Sequence, residues 1–551
     1  MFRRDGALAA AHARFEYRAG QMEMARAVER ILASGGRLVV EAGTGTGKTL
    51  AYMVSAVQCG RRVVISTATR NLQEQIARKE IPFLRQRLGL NFTAMTMKGR
   101  ENYLCLHRLE EFGREPRLKF VDEMEPFQIV SHWAGETSTG DRAEVPGLPD
   151  NVRFWREINA RSDTCLGRRC PVHDDCHLVK MRRQAEQTQV LIVNHSLLFA
   201  DLVVRSGDLG RVIPEYDCLI IDEAHRVEEI ATQYLGHRLS SRQIADLLAD
   251  CRRHGADVKE AEQAAVLLSA LFQEEEEGRH RLQLCRRHQT VGPAAERLGR
   301  ALSAVGHDLQ KRLHGEREGE AAEKEADVLE GLRRRCEAMR TDLAVITSED
   351  PPELVRWFQV GSGYFIFHAS PIDVSEPLKS GLFQPLHAVV LTSATLSVAG
   401  SLTFLKSRLG LQEAAELRVE SPFDYPEQGL LFLPEGLPEP GDADFVQAAV
   451  PLVRRLLEMS RGRAFLLFTS FARLGEMQRR LAAETDHPLL VQGDQPRAYL
   501  LERFMKTPGA VLLGTSSFWQ GVDVPGDALS LVVIDRLPFA VPDDPLLSAR
   551  L

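Results

Sequence analysis

Several features are scarce in this chain of 551 residues, and each scarcity removes a class of protein. No apolar run approaches the roughly 20 residues that cross a bilayer. The opening MFRRDGALAAAHARFEYRAG has no apolar h-region, so neither a membrane span nor a secretory signal is expected. The nine cysteines are scattered and odd in number, which argues against a disulfide framework and for a reducing, cytoplasmic setting. Basic charge is not in excess either: 69 Lys and Arg against 76 Asp and Glu leave a net charge of -7. A uniformly basic, duplex-coating surface is therefore excluded. Any nucleic-acid contact must come from local tracks such as RQRLGL, CRRH and GLRRRC, most of which read as solvated helix faces. The length exceeds what one core sustains, and three or four domains are expected.

What is present begins with GRLVVEAGTGTGKTLAYMVSAV. A short β-branched run, Leu38 to Val40, reads as a buried parallel strand. It enters a glycine-rich turn and then a helix. The turn, Ala42, Gly43, Thr44, Gly45, Thr46, Gly47, Lys48 and Thr49, fits a phosphate loop with alanine in the first glycine position. Its glycines allow backbone N–H groups to face phosphate oxygens at the positive end of a helix. Lys48 offers a point charge to the β- and γ-phosphates and Thr49 a hydroxyl to Mg²⁺, with ATP as substrate. A second run, YDCLIIDEAH, carries Asp222 and Glu223 to the carboxyl end of a strand. Asp222 is placed to hold Mg²⁺ through water, and Glu223 to polarise the attacking water. His225 completes the DEAH box. A phosphate loop followed by DEAH resembles the superfamily 2 helicases, and Gln21, in FEYRAGQ, stands where such proteins carry an adenine-reading glutamine.

Roughly 170 residues separate loop from DEAH, far more than one α/β crossover needs, so a segment is inserted there. It contains MKGRENYLC, ending at Cys105, and TCLGRRCPVHDDC, with Cys165, Cys170 and Cys176. Four thiolates suit either tetrahedral Zn²⁺ or an iron–sulfur cube, and the gaps of four and five residues are wider than the tight pairs of structural zinc sites. His173 and His177 are ligand candidates only in the zinc alternative and otherwise read as exposed polar residues. The other cysteines, Cys59, Cys218, Cys251, Cys285 and Cys336, read as small buried hydrophobes.

KGRENYLC with C-x₄-C-x₅-C, VVEAGTGTGKT, ISTATRNLQ, LIVNHSLL, TSATLS, SPFDY and TSSFWQGVDVPGD together resemble the iron–sulfur helicases related to XPD and DinG, on the bacterial YoaA side. The resemblance runs nearly end to end. It implies a 4Fe–4S cluster on Cys105, Cys165, Cys170 and Cys176. It also implies an α/β fold of two RecA-like P-loop motor domains, with an inserted iron–sulfur cluster domain and an inserted helical arch domain. On that basis motor domain 1 is expected in three pieces (1–98, 189–235 and 351–398). The cluster domain falls at 99–188, an all-helical arch at 236–350, and an incomplete motor domain 2 at 399–551. Nucleotide is expected to bind between the two motor domains.

For DNA contact the candidates are Thr67, Thr69, Asn71 and Gln73, which follow a strand and suit backbone phosphates, with Asn194 and His195 second. Tyr103 is a candidate base-stacking ring. Thr392, Ser393 and Thr395 sit at a strand end able to touch both phosphate and DNA. By resemblance Gln520, Gly521 and Asp523 face the nucleotide and Ser517 and Phe518 approach the strand, while Trp519 reads as core. The chain ends at DRLPFAVPDDPLLSARL without the Q-x-x-G-R-x-x-R segment that the resemblance leads one to expect, and Arg536 is not in that pattern. A cut-short sequence is the expectation, rather than an impaired motor. The reading is an ATP-dependent 5′-to-3′ DNA helicase acting on single-stranded and forked DNA in repair or replication, with a repair or replication protein as partner. The alternative is a nucleotide-gated single-stranded-DNA scaffold.

Overall fold

The computed structural model describes all residues except 12–14, 115–122, 146, 149–151, 162–164, 208–209, 287, 315–319, 349–351, 496, 520–521, 523, 525 and 540–542, and the backbone alone at 70–71, 284, 320–324 and 498. It divides into two compact units, one of Met1–Val145, Phe154–Phe423 and Val541–Leu551 and the other of Pro146–Arg153 and Asp424–Ala540. No helix among the described residues is long and apolar enough to cross a membrane.

The strands of the first unit, in chain order, are β1 (Gly36–Ala42), β2 (Val63–Thr67), β3 (Ala94–Thr96), β4 (Val190–Asn194), β5 (Cys218–Asp222), β6 (His237–Ser240), β7 (Gly278–Arg281), β8 (Leu354–Gly361), β9 (Tyr364–Pro371), β10 (Ala388–Ser393) and β11 (Ala415–Val419). Seven of them form one sheet in the order β11-β1-β10-β5-β2-β4-β3, every pair parallel. Its inner strands are near-continuous apolar runs because both faces are covered. Val39, Val64, Leu191, Leu219, Ile221 and Leu391 point into one core with the helices His195–Ser206 and Val227–Leu235. Val40, Ile65, Ile192, Ile220 and Val390, one residue out of phase, point into the other, with Ala19–Ser34 and Lys48–Gln58. The α/β expectation holds at this level.

Between β3 and β4 lies a small helical insertion. Phe112, Phe127 and Phe154 form its aromatic centre, with centroids 5.3, 5.5 and 6.5 Å apart. Trp155 Nε1 donates to the Glu101 carbonyl at 2.9 Å.

The second insertion corrects the all-helical expectation. Helices Ser241–Arg253, Lys259–Ala270, His288–Leu313 and Glu320–Thr347 share a core with a four-stranded antiparallel sheet, β6-β9-β8-β7. β8 and β9 form a hairpin in which Gly361 pairs with Tyr364. The two-residue turn needs a positive φ, supplied by Gly363 at +74°. Phe358, Phe365 and Phe367 from this hairpin close around Phe272, at 5.0, 5.0 and 5.1 Å. The hairpin thus pairs with β6 and β7 and not with the large sheet, so this insertion extends past 350 to about residue 371. β6 (HRLS) and β7 (GRHR) are too short and polar to announce themselves as strands; the apolar hairpin recruits them as edges. β11 likewise pairs with β1, which places the end of the first unit's sheet at 419, beyond the expected 398.

The second unit has its own parallel sheet, of β12 (Ala464–Leu467), β13 (Leu489–Val491), β14 (Val511–Gly514) and β15 (Leu531–Ile534), in the order β13-β14-β12-β15. Leu466 and Leu513 face the helices Phe445–Ser460 and Phe471–Leu481, and Phe465 and Leu512 face Arg497–Lys506.

Phe358 is fully buried in the second insertion. Phe358→Ala is expected to destabilise that insertion by about 3–5 kcal/mol. Urea unfolding followed by far-UV circular dichroism checks this; an unchanged first transition contradicts the packing described.

Candidate functional site

The carboxyl ends of β1, β10, β5 and β2 form one edge of the large sheet. β1 ends at Ala42, and the chain turns into the loop Gly43–Gly47 before helix Lys48–Gln58. Gly45 and Gly47 have φ of +81° and +82°, a left-handed region that only glycine enters without strain. Gly43 N–H donates to Val419 O at 3.0 Å, and a Cβ on Gly43 would meet Ser421 N at 2.7 Å. Buried Thr46 donates from both N–H and Oγ1 to Gly43 O, at 3.3 and 2.6 Å, while the Ser421 hydroxyl donates to Thr44 O at 2.8 Å. Lys48 Nζ rests on Ala42 O at 3.2 Å. The helix that follows directs its unbonded N–H groups and positive dipole end at this loop.

Gln21 is buried against the phosphate loop, and its Nε2 donates to Gly47 O at 3.0 Å. Arg18 donates to Gly45 O. Both side chains buttress the loop from behind.

At the end of β5, Asp222 is nearly buried. One carboxylate oxygen accepts the Tyr52 hydroxyl at 2.9 Å and the other accepts Glu223 N–H at 2.9 Å. Burial, then the charge of Glu223, pushes its carboxyl up to about 6, against the Tyr52 hydroxyl and the Lys48 ammonium. Lys48 and Asp222 are thus electrostatic neighbours, and Tyr52 also hydrogen-bonds the Thr49 hydroxyl. Glu223 is held at φ +55°, a strained conformation for a side-chain-bearing residue. Ser393 Oγ donates to Glu223 Oε2 at 3.2 Å and lies 2.8 Å from His225 Nδ1. With the serine proton spent on Glu223, the network assigns the imidazole proton to Nδ1. Lys48, Thr49, Asp222, Glu223 and His225 are therefore brought together at this edge. Gln520, Gly521 and Asp523 lie outside the described residues. Tyr52 was missed; its signal is a phenol in an apolar helix, three residues after Thr49, since a buried tyrosine hydroxyl requires a partner.

The four cysteines come from two ends of the first insertion. Cys105 precedes helix Leu106–Arg114, and Cys176 caps His177–Glu186. Cys105 and Cys176 pack against the core, and Cys165 is exposed. Burial pushes the Cys105 thiol up, assisted by the nearby Cys170 and Cys176, while Arg108 N–H bonds to its sulfur and works the other way. Burial likewise pushes up Cys170, with Cys176 and Cys165 adding to it and Val172 N–H opposing. Cys105 thus neighbours Cys170 and Cys176, Cys170 also neighbours Cys165, and the sulfurs of Cys105 and Cys170 receive backbone N–H bonds of the kind that favour thiolate ligands. Among the described residues no three His, Cys, Asp or Glu side chains close tightly enough to hold one metal ion. His177, expected to be exposed, is buried beneath Gly140, whose added Cβ would strike its ring at 2.4 Å. Cys218, Cys251, Cys285 and Cys336 are buried as expected and Cys59 partly so.

The DEAD/DEAH box helicase family matches residues 23–115, and the helicase C-terminal domain family matches 453–551. The ATP-dependent DNA helicase YoaA of Escherichia coli (strain K12) is 35% identical over 561 residues, covering 100% of this chain and 86% of that protein. The chain belongs to the YoaA/DinG helicase family. The ATP-dependent helicase DinG of Mycobacterium tuberculosis (strain ATCC 25618 / H37Rv) is 31% identical over 569 residues, covering 97% and 83%. A solved structure, Xpd4 of S. tokodaii, has a TM-score of 0.55 at 15% identity, covering 97% of this chain and 86% of that one, a likeness of fold alone.

Within this YoaA/DinG-type chain the DNA-contact candidates separate by burial. Tyr103 is 3% exposed, its ring lies in the core and its hydroxyl accepts Lys98 N–H at 3.2 Å, so no face is left for a base. Gln73 is buried with its Nε2 3.4 Å from Met97 O and Ile192 O. Thr67 is buried and donates to Thr69 O at 3.1 Å. His195 is fully buried, 2.7 Å from Ser66 Oγ, and burial depresses it to about 3, so it is neutral. Phe518 is 2% exposed, under the Arg497 guanidinium at 5.4 Å. All five act within the fold, because side chains that follow a strand point into a core as often as out of it. Thr69 and Asn194 are helix caps, accepting Leu72 N–H at 3.3 Å and Leu197 N–H at 2.9 Å. Ser517 is exposed, and the Asn71 side chain lies outside the described residues. Trp519, read as core, is half-buried and donates to Phe468 O at 3.4 Å.

Asp222 takes up a proton near pH 6 in the folded, nucleotide-free protein, and near pH 4 when unfolded. Its contribution to stability therefore falls as pH rises from about 4 through 6. Tyr52→Phe removes a donor to the ionised form, so its cost is expected to be about 1–2 kcal/mol at pH 8 and smaller at pH 5. Thermal melts of both proteins across that range check this; equal deficits at the two pH values contradict it.

Proposed function

We propose that the chain is an ATP-dependent DNA helicase that steps along single-stranded DNA and opens forked duplex. The observation that carries this reading is the meeting of Lys48, Asp222, Glu223 and Ser393 at the carboxyl edge of a parallel sheet, in a chain that aligns from end to end with helicases. In this reading Lys48 bears on the β- and γ-phosphates. Thr49 and Asp222 hold Mg²⁺, and Glu223, oriented by Ser393 and His225, polarises the attacking water. Exposed Ser517 and the capped loops at Thr69 and Asn194 remain the candidates for strand contact. Polarity of 5′-to-3′, and a place in DNA repair or replication, complete the proposal.

Cys105, Cys165, Cys170 and Cys176 would hold a 4Fe–4S cluster, which supplies a covalent cross-link to an insertion with a small core of its own. One feature supports the cube over zinc: the gaps of four and five residues between the last three cysteines are wider than the tight pairs of structural zinc sites. The segment 236–371 is read as the arch domain. The nucleotide-gated scaffold reading has no observation in its favour.

Lys48→Ala is expected to lower DNA-stimulated ATP hydrolysis by about 100-fold or more. The wild type is expected to unwind forked substrates bearing a 5′ tail and not those bearing only a 3′ tail. Iron and sulfide assays after anaerobic purification are expected to show both elements in Lys48→Ala and a loss of both in Cys170→Ser. Undiminished turnover in Lys48→Ala overturns the motor reading, and an iron-free wild type overturns the cluster.

A further inference from the structure

Glu41, the penultimate residue of β1, is a carboxylate that the catalytic scheme above does not use. It sits in a row across three strands: Arg418 of β11 and Ser393 of β10 are its register partners on either side. Its side chain is only 14% exposed. One carboxylate oxygen accepts the backbone N–H of Leu396, at 2.6 Å, and that of Ser397. The other accepts the Ser397 hydroxyl at 2.8 Å and lies 3.5 Å from Arg418 Nε. Arg418 in turn donates to Gly400 O at 2.8 Å. The turn that follows β10 is thereby tied at its far end to the strand that feeds the phosphate loop. Its near end is Ser393, the donor to Glu223.

The arrangement is more than a loop anchor requires. Placing a carboxylate in a nearly buried position costs desolvation free energy, offset here by donors that are charge-assisted and therefore short and directional. Between residues 393 and 397 only three residues intervene, so the orientation of Ser393 is tied to where Leu396 and Ser397 are held.

We propose that Glu41 is a positioning residue for ATP hydrolysis, fixing the 394–397 turn so that Ser393 aims its hydroxyl at Glu223. It is not a catalytic residue, because it acts on the reacting atoms only through Ser393 and Glu223. The inference rests on the ATP-hydrolysing reading given above.

Steady-state ATP hydrolysis with saturating single-stranded DNA tests it. Glu41→Ala is expected to lower kcat by about 10-fold or more while KM for ATP stays within about 2-fold, since an interaction that orients the reacting group is realised in the transition state. Glu41→Gln, whose amide can still accept both N–H groups and face the Ser397 hydroxyl, is expected to keep at least about a third of kcat. In a Ser393→Ala background Glu41→Ala is expected to cost no more than about 3-fold, because the two residues act in one chain. Should Glu41→Ala fail to fold, as read by circular dichroism, Ser397→Ala carries the test, with kcat lowered by about 3-fold at unchanged KM. The proposal is overturned if kcat is unchanged in the variant that folds. It is equally overturned if KM rises in step with the loss of kcat, or if the full penalty persists without Ser393. A wild type that hydrolyses no ATP sinks the underlying reading instead, which the Lys48→Ala comparison identifies separately.

Discussion

Parallel pairing in a fixed register is the constraint from which the site follows. Glu41 stands beside Ser393, Thr392 beside Asp222, and Ser66 beside Ile221, so chemistry-bearing residues from β1, β10, β5 and β2 reach the same edge of one sheet. The side-chain period of a strand is two. A slip of one residue at β5 would turn Asp222 to the opposite face and carry Ile221 into its place. Dense apolar cores on both faces prevent that slip. Much of the first unit's hydrophobic burial therefore specifies the site as well as stabilising the chain.

At this edge several buried polar groups are tied to one another. Asp222 has Tyr52 and Glu223 N–H, His195 has Ser66, Glu223 has Ser393, and Glu41 has two N–H groups and a hydroxyl. Such a network holds its members in fixed directions before any nucleotide arrives, which reduces the reorganisation needed when charge develops. It also sorts protonation states by environment: His195 is kept neutral by burial, while burial lifts the Asp222 carboxyl to about 6. In the first insertion the sulfurs of Cys105 and Cys170 likewise accept backbone N–H groups, those of Arg108 and Val172.

What could be read from the sequence was what is local. The phosphate loop and DEAH box are contiguous strings whose glycines, lysine and acids have fixed offsets, and the structure assembles them as the strings imply. Burial is not local, and there the reading failed in a consistent way. Tyr103, Gln73, Thr67 and His195 suggest DNA contact by their place beside a motif, and Phe518 by resemblance, yet all five are buried. Whether such a side chain points out or in depends on helices and strands distant in sequence. β6 and β7 escaped for a related reason: four-residue edges with arginine and histidine become strands only because β8 and β9 offer them partners. Glu41 and Tyr52 lie inside strings that were recognised, yet their partners are 355 and 170 residues away.

That separation bears on how the protein is made. β1 emerges from the ribosome early, but both strands that flank it, β10 and β11, come after residue 387. Until then the phosphate-loop strand has unpaired N–H and C=O groups along each edge and no neighbour to pair with either. The two insertions, with contacts closer together in the chain, can form in the interval, as low contact order favours. Synthesis thus leaves a long window in which the nascent first unit exposes unpaired strand edges, and a chaperone would find its substrate there.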